Sequence, residues 1–385
     1  MIYLDNGSTS FPKPEAVPKA RFEYMSHVGA NINRGAYASA YSTEEQVFEC
    51  RQLLAELFGA EDSKNVIFTK NITESLNVVL KGFLKPGDHV LVSSMEHNAV
   101  MRPVVQLEKH GVEFTRIPCD PQGNLLVETI PGLIRPNTKA ICILHASNVC
   151  GTAMPIAEVG RICAEYGIRF ILDSAQSAGL LPIDMQSMNI SALCFTGHKS
   201  LLGPQGIGGF ILRDDMILEI EPLLSGGTGS ISHLEEVPEF MPDRFEPGTM
   251  NIPGILGLRA ALLWHKEQPE GSVFAHEMAM TGRLLDGFTE LENRGILRIF
   301  GRRDLKDRTA VVSIQTVKVD QAETAFRLDS EYGIMTRVGI HCAPSAHRTL
   351  GTYPEGTVRF APGWATTEEE IDAAIKAVEE IGNGN

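Results

Sequence analysis

No uninterrupted run of the ~18 apolar residues needed to span a membrane as a helix occurs in this sequence. The first residues also lack the basic stretch and apolar core of a secretory signal. Positive charge is scarce. Lysine and arginine number 34 against 48 acidic residues, a formal net charge of −14. That excludes the basic footprint by which nucleic acid or an anionic membrane is held, so neither is expected as a partner. The seven cysteines are widely spaced, odd in number and form no C-x-x-C pair. A disulfide framework and a structural zinc site are therefore not expected, nor is any other metal centre. These absences describe a cytoplasmic protein. The remainder is ordinary for a globular chain, 43% hydrophobic and 21% charged. At 385 residues it exceeds the roughly 250–300 at which one core stops growing, so two domains are expected.

The pattern along the chain alternates. A short apolar start ends in the polar turn Asp5-Asn6-Gly7-Ser8, and Pro12 and Pro14 keep the next residues out of helix. Ser42-Thr43-Glu44-Glu45 has capping-box spacing and predicts a helix opening there, with Val47, Cys50, Leu54, Leu57 and Phe58 on the helical period and Gly59 closing it. Short apolar strands follow at 66–68, 90–92, 140–144 and 168–172, separated by amphipathic helices at 74–83, 101–110 and 156–166. Strands of that kind make a parallel sheet buried on both faces. Past a Gly/Pro-rich passage near Pro247 come helices at 258–265 and 273–291, strands at 310–315, 334–338 and 357–360, and a last helix behind Thr367-x-x-Glu370. The fold class is α/β. A large domain over 15–250 carries a mostly parallel sheet, and 1–14 with 251–385 forms a smaller α+β domain.

Polar residues gather where the strands end: Thr73-Glu74, Glu96-His97-Asn98, His145-Ala146-Ser147-Asn148, Asp173-Ser174-Ala175-Gln176 and Thr196-Gly197-His198-Lys199. Ligands of open α/β sheets sit beyond the carboxyl ends of the strands, and five clusters in register point to one crevice. Lys199 alone reads as a solvated loop lysine, since buried unpaired lysine is rare. Its company changes that reading. Ile72-Thr73-Glu74 opens a helix, whose free N–H groups and dipole favour a phosphate. Asp173 ends a strand. A lysine near its usual pKa of about 10.4 is a poor nucleophile at neutral pH. Pyridoxal 5′-phosphate, by contrast, calls for such a lysine as a Schiff base, a carboxylate facing the pyridinium nitrogen and a phosphate cradle. Gly203-Pro204-Gln205-Gly206-Ile207-Gly208 lacks G-x-G-x-x-G spacing and follows the lysine, so it reads as close packing rather than a nucleotide fingerprint.

At these residues the chain resembles the pyridoxal-phosphate-dependent class V aminotransferase family, and within it the cysteine desulfurases. The resemblance rests on IYLDNGST, TKNITESLN, SMEHNA, HASNVCGT, LDSAQSAG, TGHKSLLGPQGIGG, FEPGTMNIPG, RVGIHCAP and VRFAPGWATTEEEID, in the family's order over nearly the whole chain. It implies the type I aminotransferase fold. By position, it also implies Lys199 as the Schiff-base lysine, Asp173 as the pyridinium partner, His97 stacked on the ring and Gln176 at the ring hydroxyl. Ile72, Thr73, Thr196 and His198 would hold the phosphate, with Thr249 reaching in from a second subunit of a homodimer that shares its sites. Asn148, which would also touch the cofactor, and Arg359 would bind the substrate carboxylate, with Arg337 and His341 further substrate-binding residues that flank the cysteine loop as candidate cations. Cys342 would be the nucleophile that takes sulfur from L-cysteine, leaving alanine and a persulfide for an acceptor protein.

The resemblance has departures. Ile340 stands where short-loop desulfurases usually place a second histidine, and Tyr37 replaces a histidine after Arg34-Gly35. Both lie near the expected substrate and sulfur path. Cys150 is a rival thiol at a strand end. Selenocysteine lyase, or another class V lyase or epimerase, would share the same cofactor residues. A non-catalytic sulfur carrier binding the same cofactor is the alternative outside catalysis. The fate of Cys342 separates these readings.

Overall fold

The computed structural model describes residues 1–384 except Arg34, Ser232 and Leu234. Its centre is a seven-stranded sheet in the spatial order Val66–Thr69, Gly208–Leu212, Ala192–Thr196, Arg169–Asp173, Thr138–Leu144, His89–Ser93, Glu113–Ile117. Six of these strands run in the same direction, five of them paired in parallel with one another. Gly208–Leu212 runs antiparallel to both its neighbours, Ala192–Thr196 and Val66–Thr69. The reversal follows from the connection. Residues 197–207 form a tight glycine-containing return, and a parallel pair would need a crossover of a dozen residues or more.

Helices cover both faces. Ala38–Phe58, Ile156–Tyr166 and Ile252–Glu267 pack on one side, and Ile72–Phe83 and Asn98–Glu108 on the other. This explains why the inner strands are apolar through their middles, with polar residues confined to their ends. The edge strand Glu113–Ile117 is not apolar throughout; Phe114 and Thr115 are half-buried and Glu113 and Arg116 exposed. It escaped the apolar-run criterion for that reason. The helix expected to open at Ser42 begins at Ala38. Thr43 does not cap it: its hydroxyl donates back to the Ser39 carbonyl at 2.7 Å, inside the helix. Gly59 does close it, with φ of 61°.

A second, four-stranded antiparallel sheet orders Arg337–Gly339, Thr357–Phe360, Val312–Thr316 and Leu297–Phe300. Its core takes in Phe288, Phe360, Ile371 and Val378, together with Leu4 from the start of the chain. The single strand expected over 334–338 is two. Ile334–Met335 pairs with Ile2–Tyr3, and the chain changes sheet at Thr336. The last helix, Glu368–Gly382, opens on the expected capping box: Thr367 and Glu370 each accept from the other's backbone N–H. Among the described residues no helix is long and apolar enough to cross a membrane.

Candidate active site

Lys199 follows the strand Ala192–Thr196 in a turn whose backbone is tied to the start of the chain. Ser10 Oγ donates to the Lys199 carbonyl at 2.9 Å, and Lys13 Nζ donates to the His198 carbonyl at 2.8 Å and to Ser10 Oγ at 2.6 Å. Burial lowers the Lys199 pKa to about 8; Asp173 opposes the shift, while Arg359 and Arg337 add to it. A usable fraction of free amine therefore exists near neutral pH. Lys13 is also brought to about 8, by burial.

Asp173 closes the strand Arg169–Asp173 and is buried. Desolvation raises its pKa, against the Ala175 N–H bonded to Oδ1 at 2.9 Å and the Lys199 charge. A carboxylate in that position gains from a cationic N–H partner. Beneath it lies Glu96, whose Oε1 accepts from Ser93 Oγ at 2.5 Å and from the Leu144 N–H at 3.0 Å. Burial, with the Asp173 charge, pushes Glu96 up to about 8, so it is neutral at pH 7.

His97 is the N-cap of the helix Asn98–Glu108, its Nδ1 accepting the Ala99 N–H at 3.0 Å. The cap fixes the ring. Burial, then the nearby Lys199 and Arg359 charges, lower its pKa to about 4. His97 is therefore a neutral imidazole with its proton on Nε2. Gln176 is buried and donates to the Gly7 carbonyl at 2.9 Å.

The helix Ile72–Phe83 meets the far side of the crevice. Its N-cap Asn71 accepts the Glu74 N–H at 3.0 Å, leaving the first N–H groups, at Ile72 and Thr73, without a helical partner. Thr196 and Gly208 are register partners, and a Cβ on Gly208 would lie 2.9 Å from Asn71 Cα. The glycine brings the helix start against the end of the Lys199 strand. There Thr196 Oγ1 and His198 Nδ1 are buried without a partner. Two orphaned polar atoms beside a free helix N-terminus fit a phosphate. Thr249 lies apart from this group, exposed, on a cavity of about 250 Å³ it shares with Thr69, Glu74 and Asn251.

The opposite wall is built on arginine. Arg359 is buried; its Nη2 donates to Asp5 Oδ1 and Ser8 Oγ, both at 2.7 Å, and its Nη1 to the Asn148 carbonyl at 3.0 Å. Asn148 Nδ2 donates to the His341 carbonyl at 2.8 Å, and the Asn98 N–H to the Cys342 carbonyl at 2.7 Å. Cys342 is thereby tethered to two strand ends and is exposed, while Cys150 is buried against Thr152. Ile340 and Tyr37 are both exposed; Arg34 lies outside the described residues.

Two expectations change here. His341 is no cation: it is buried, and desolvation with the Arg359 charge lowers its pKa to about 2. Of the two candidates only Arg337 carries charge beside the loop at neutral pH. His145 does not join the crevice; it lines a separate cavity with Met154, Leu181 and Arg302. Asp5, Ser8, Ser10 and Lys13 carry no site role in the expectations, although the polar turn after the first strand holds the first two, and Glu96 carries none beyond its place in a strand-end cluster. Contacts between the start of the chain and residues near 199 and 359 have no local signature.

Against known proteins, the profile of the class V aminotransferase family matches residues 2–374. A probable cysteine desulfurase of Methanothermobacter thermautotrophicus is 32% identical, over 99% of this chain and 94% of that one. A cysteine desulfurase of Haloferax volcanii is 31% identical, over 98% of this chain and 89% of its own. Among solved structures, the apo cysteine desulfurase of Thermococcus onnurineus superposes with a TM-score of 0.91 at 32% identity, covering 100% of this chain and 95% of that one. The Escherichia coli cysteine desulfurase CsdA, in its S-sulfonic acid form, gives 0.87 at 28% identity, covering 98% and 94%.

Proposed function

This chain belongs to the class V aminotransferase family, whose members depend on pyridoxal 5′-phosphate, and from that premise we propose that it is a cysteine desulfurase. The observation that carries the proposal is the exposed Cys342, tethered through Asn98 and Asn148 to two strand ends, one presenting His97 and the other lying beside the strand that ends in Asp173. Bound there, the cofactor supplies an electron sink that makes the Cα proton of an amino acid removable.

The orphaned Thr196 Oγ1 and His198 Nδ1 and the free N–H groups at Ile72 and Thr73 suit its phosphate. Asp173 would keep the ring nitrogen protonated, with His97 and Gln176 fixing the ring's face and edge. Lys199 would hold the cofactor and, once displaced by substrate, move the Cα proton; a pKa near 8 suits both duties. Arg359 and Asn148 would orient the substrate carboxylate. The Cys342 thiolate attacks the substrate sulfur, an S–S bond forming as the C–S bond breaks. The departing electron pair stays with the carbon fragment, which takes up protons and leaves as alanine.

Thr249 is assigned to the neighbouring subunit's phosphate site in a homodimer. Exposed Phe22, Met25, Tyr41 and Phe48 on the flanking helices support such an interface. An acceptor protein would take the sulfur from Cys342. The cytoplasm, where the seven free thiols stay reduced, is the proposed compartment. We assign the second sheet with the cysteine loop to a smaller domain drawn from 1–14 and 251–385, and residues 15–250 to the large one, except that the helix Ile252–Glu267 packs into the core of the large one.

The test is alanine formation from L-cysteine by the cofactor-loaded protein. Cys342→Ala is expected to abolish it while the protein keeps its yellow cofactor. Wild-type turnover by that variant would overturn the assignment.

A further inference from the structure

Two guanidinium groups and one carboxylate meet beneath the turn at the start of the chain. Arg337 and Arg359 are register partners on adjacent antiparallel strands. Both donate to Ser8 Oγ, whose own proton goes to Asp5 Oδ1 at 2.6 Å. The cluster keeps one uncompensated positive charge, room for one further carboxylate. Yet the grip for it is closed. A carboxylate taken bidentately needs two adjacent N–H groups. Arg359 Nη2 spends both hydrogens on Asp5 and Ser8, and Nε, without a partner, is sealed from solvent. The turn itself is the cover: a Cβ on Gly7 would lie 3.2 Å from Arg359 Cζ and 3.3 Å from Nη2.

Resting on the desulfurase reading above, we propose that Asp5 is an internal stand-in for the substrate carboxylate. It keeps the buried Arg359 paired and oriented in the free enzyme, and yields Nη2 when an amino-acid carboxylate enters the crevice. Leaving that guanidinium unpaired would be costly, so the enzyme holds a carboxylate there at all times. Asp5 is thus a positioning residue that sets specificity. An amine thiol without a carboxyl group cannot replace it, and leaves the Asp5–Arg359 pair closed.

The experiment measures L-alanine binding to the holoenzyme by calorimetry and KM for L-cysteine. Asp5→Asn keeps an acceptor for Nη2 but removes the competing charge. L-alanine is expected to bind tighter by roughly fivefold, the scale of one modest ion pair, and KM to fall in step while kcat moves less. Asp5→Ala, without an acceptor, weakens both. Equal weakening by the two variants would mean that Asp5 only orients Arg359, and no change in either would remove it from recognition; each result overturns the proposal. Should the variants fail to fold, the unmodified holoenzyme decides. Saturating L-alanine should speed hydrogen exchange at Ser8 and Thr9, whose N–H groups donate to the Asp5 carbonyl at 2.9 and 3.4 Å; unchanged or slower exchange overturns it. A wild-type protein that makes no alanine from cysteine sinks the desulfurase reading, while L-alanine binding still decides the role of Asp5.

Discussion

The backbone N–H of Asn98 donates to the carbonyl of Cys342 at 2.7 Å, joining the first residue of a helix to the exposed thiol's own peptide. That bond restrains a strained segment. His341 and Cys342 both adopt left-handed φ, 47° and 57°, which costs a non-glycine residue about 1 kcal/mol or more. The Asn98 and Asn148 bonds offset that cost, along with the His341 Nε2 to Thr357 Oγ1 contact at 3.0 Å. Asn148→Ala removes one tether and leaves the buried His341 carbonyl unpaired. Single-turnover persulfide formation on Cys342, followed by mass at saturating L-cysteine so that a weakened carboxylate contact is compensated, is expected to slow roughly tenfold, because placement of the thiol is what the tether supplies. An unchanged rate would show that the loop holds its geometry without Asn148.

Thr196 gives a prediction with two signs. Its hydroxyl is buried and unpartnered, so Thr196→Val exchanges it for a methyl of similar shape. The cofactor-free protein should keep or gain stability, because an unsatisfied hydroxyl costs about 1–3 kcal/mol. Affinity for pyridoxal 5′-phosphate should fall roughly tenfold, the loss of one hydrogen bond to a charged group. Thermal unfolding of the cofactor-free protein and a fluorescence titration measure the two. Lost stability together with unchanged affinity would place the hydroxyl elsewhere.

The legibility of these features follows burial. Strands such as Ala192–Thr196 and Thr138–Leu144, covered on both faces, show as apolar runs and could be read directly. Edge strands could not. Leu297–Phe300 alternates buried and more exposed residues, and Glu113–Ile117 is mostly polar. Lys199, Asp173 and His97 were legible because strand ends bring local motifs to one crevice. The Asp5–Ser8–Arg359 cluster was not, since it joins the two ends of the chain. Charge state was the least legible property. His341 reads as a cation in sequence, and only its burial shows that it is neutral.

Neutral histidines set the acid limit. Burial lowers His97, His145, His198 and His347 to about 4, and His341 to about 2. The unfolded chain would protonate them near 6.5. Between pH 6.5 and 4 the unfolded state therefore binds more protons, and stability falls as pH falls. Urea unfolding of the cofactor-free protein at stepped pH should show the midpoint dropping steadily below pH 6.5, with several protons taken up on unfolding. A flat midpoint down to pH 5 would mean these imidazoles are solvated.

Glu277 acts in the opposite direction. It sits buried on the helix Ser272–Asn293, facing a cavity of about 20 Å³ also lined by Asn6, Gly7 and Gln176, large enough for a single water. Burial alone raises its pKa to about 8. A raised carboxyl favours the folded state fully only below the unfolded value near 4.3, and that stability is lost as pH climbs to the folded pKa. Glu277→Gln keeps the shape and removes the titration. The variant should match the wild type near pH 4.5, then gain on it steadily up to pH 8, where the advantage levels off. Each unit is worth at most about 1.4 kcal/mol, and water reaching the cavity reduces it. Paired unfolding curves at pH 5, 6.5 and 8 measure that slope. A difference independent of pH would mean the carboxylate is already ionised in the folded protein, and that the cavity water or an unseen cation compensates it.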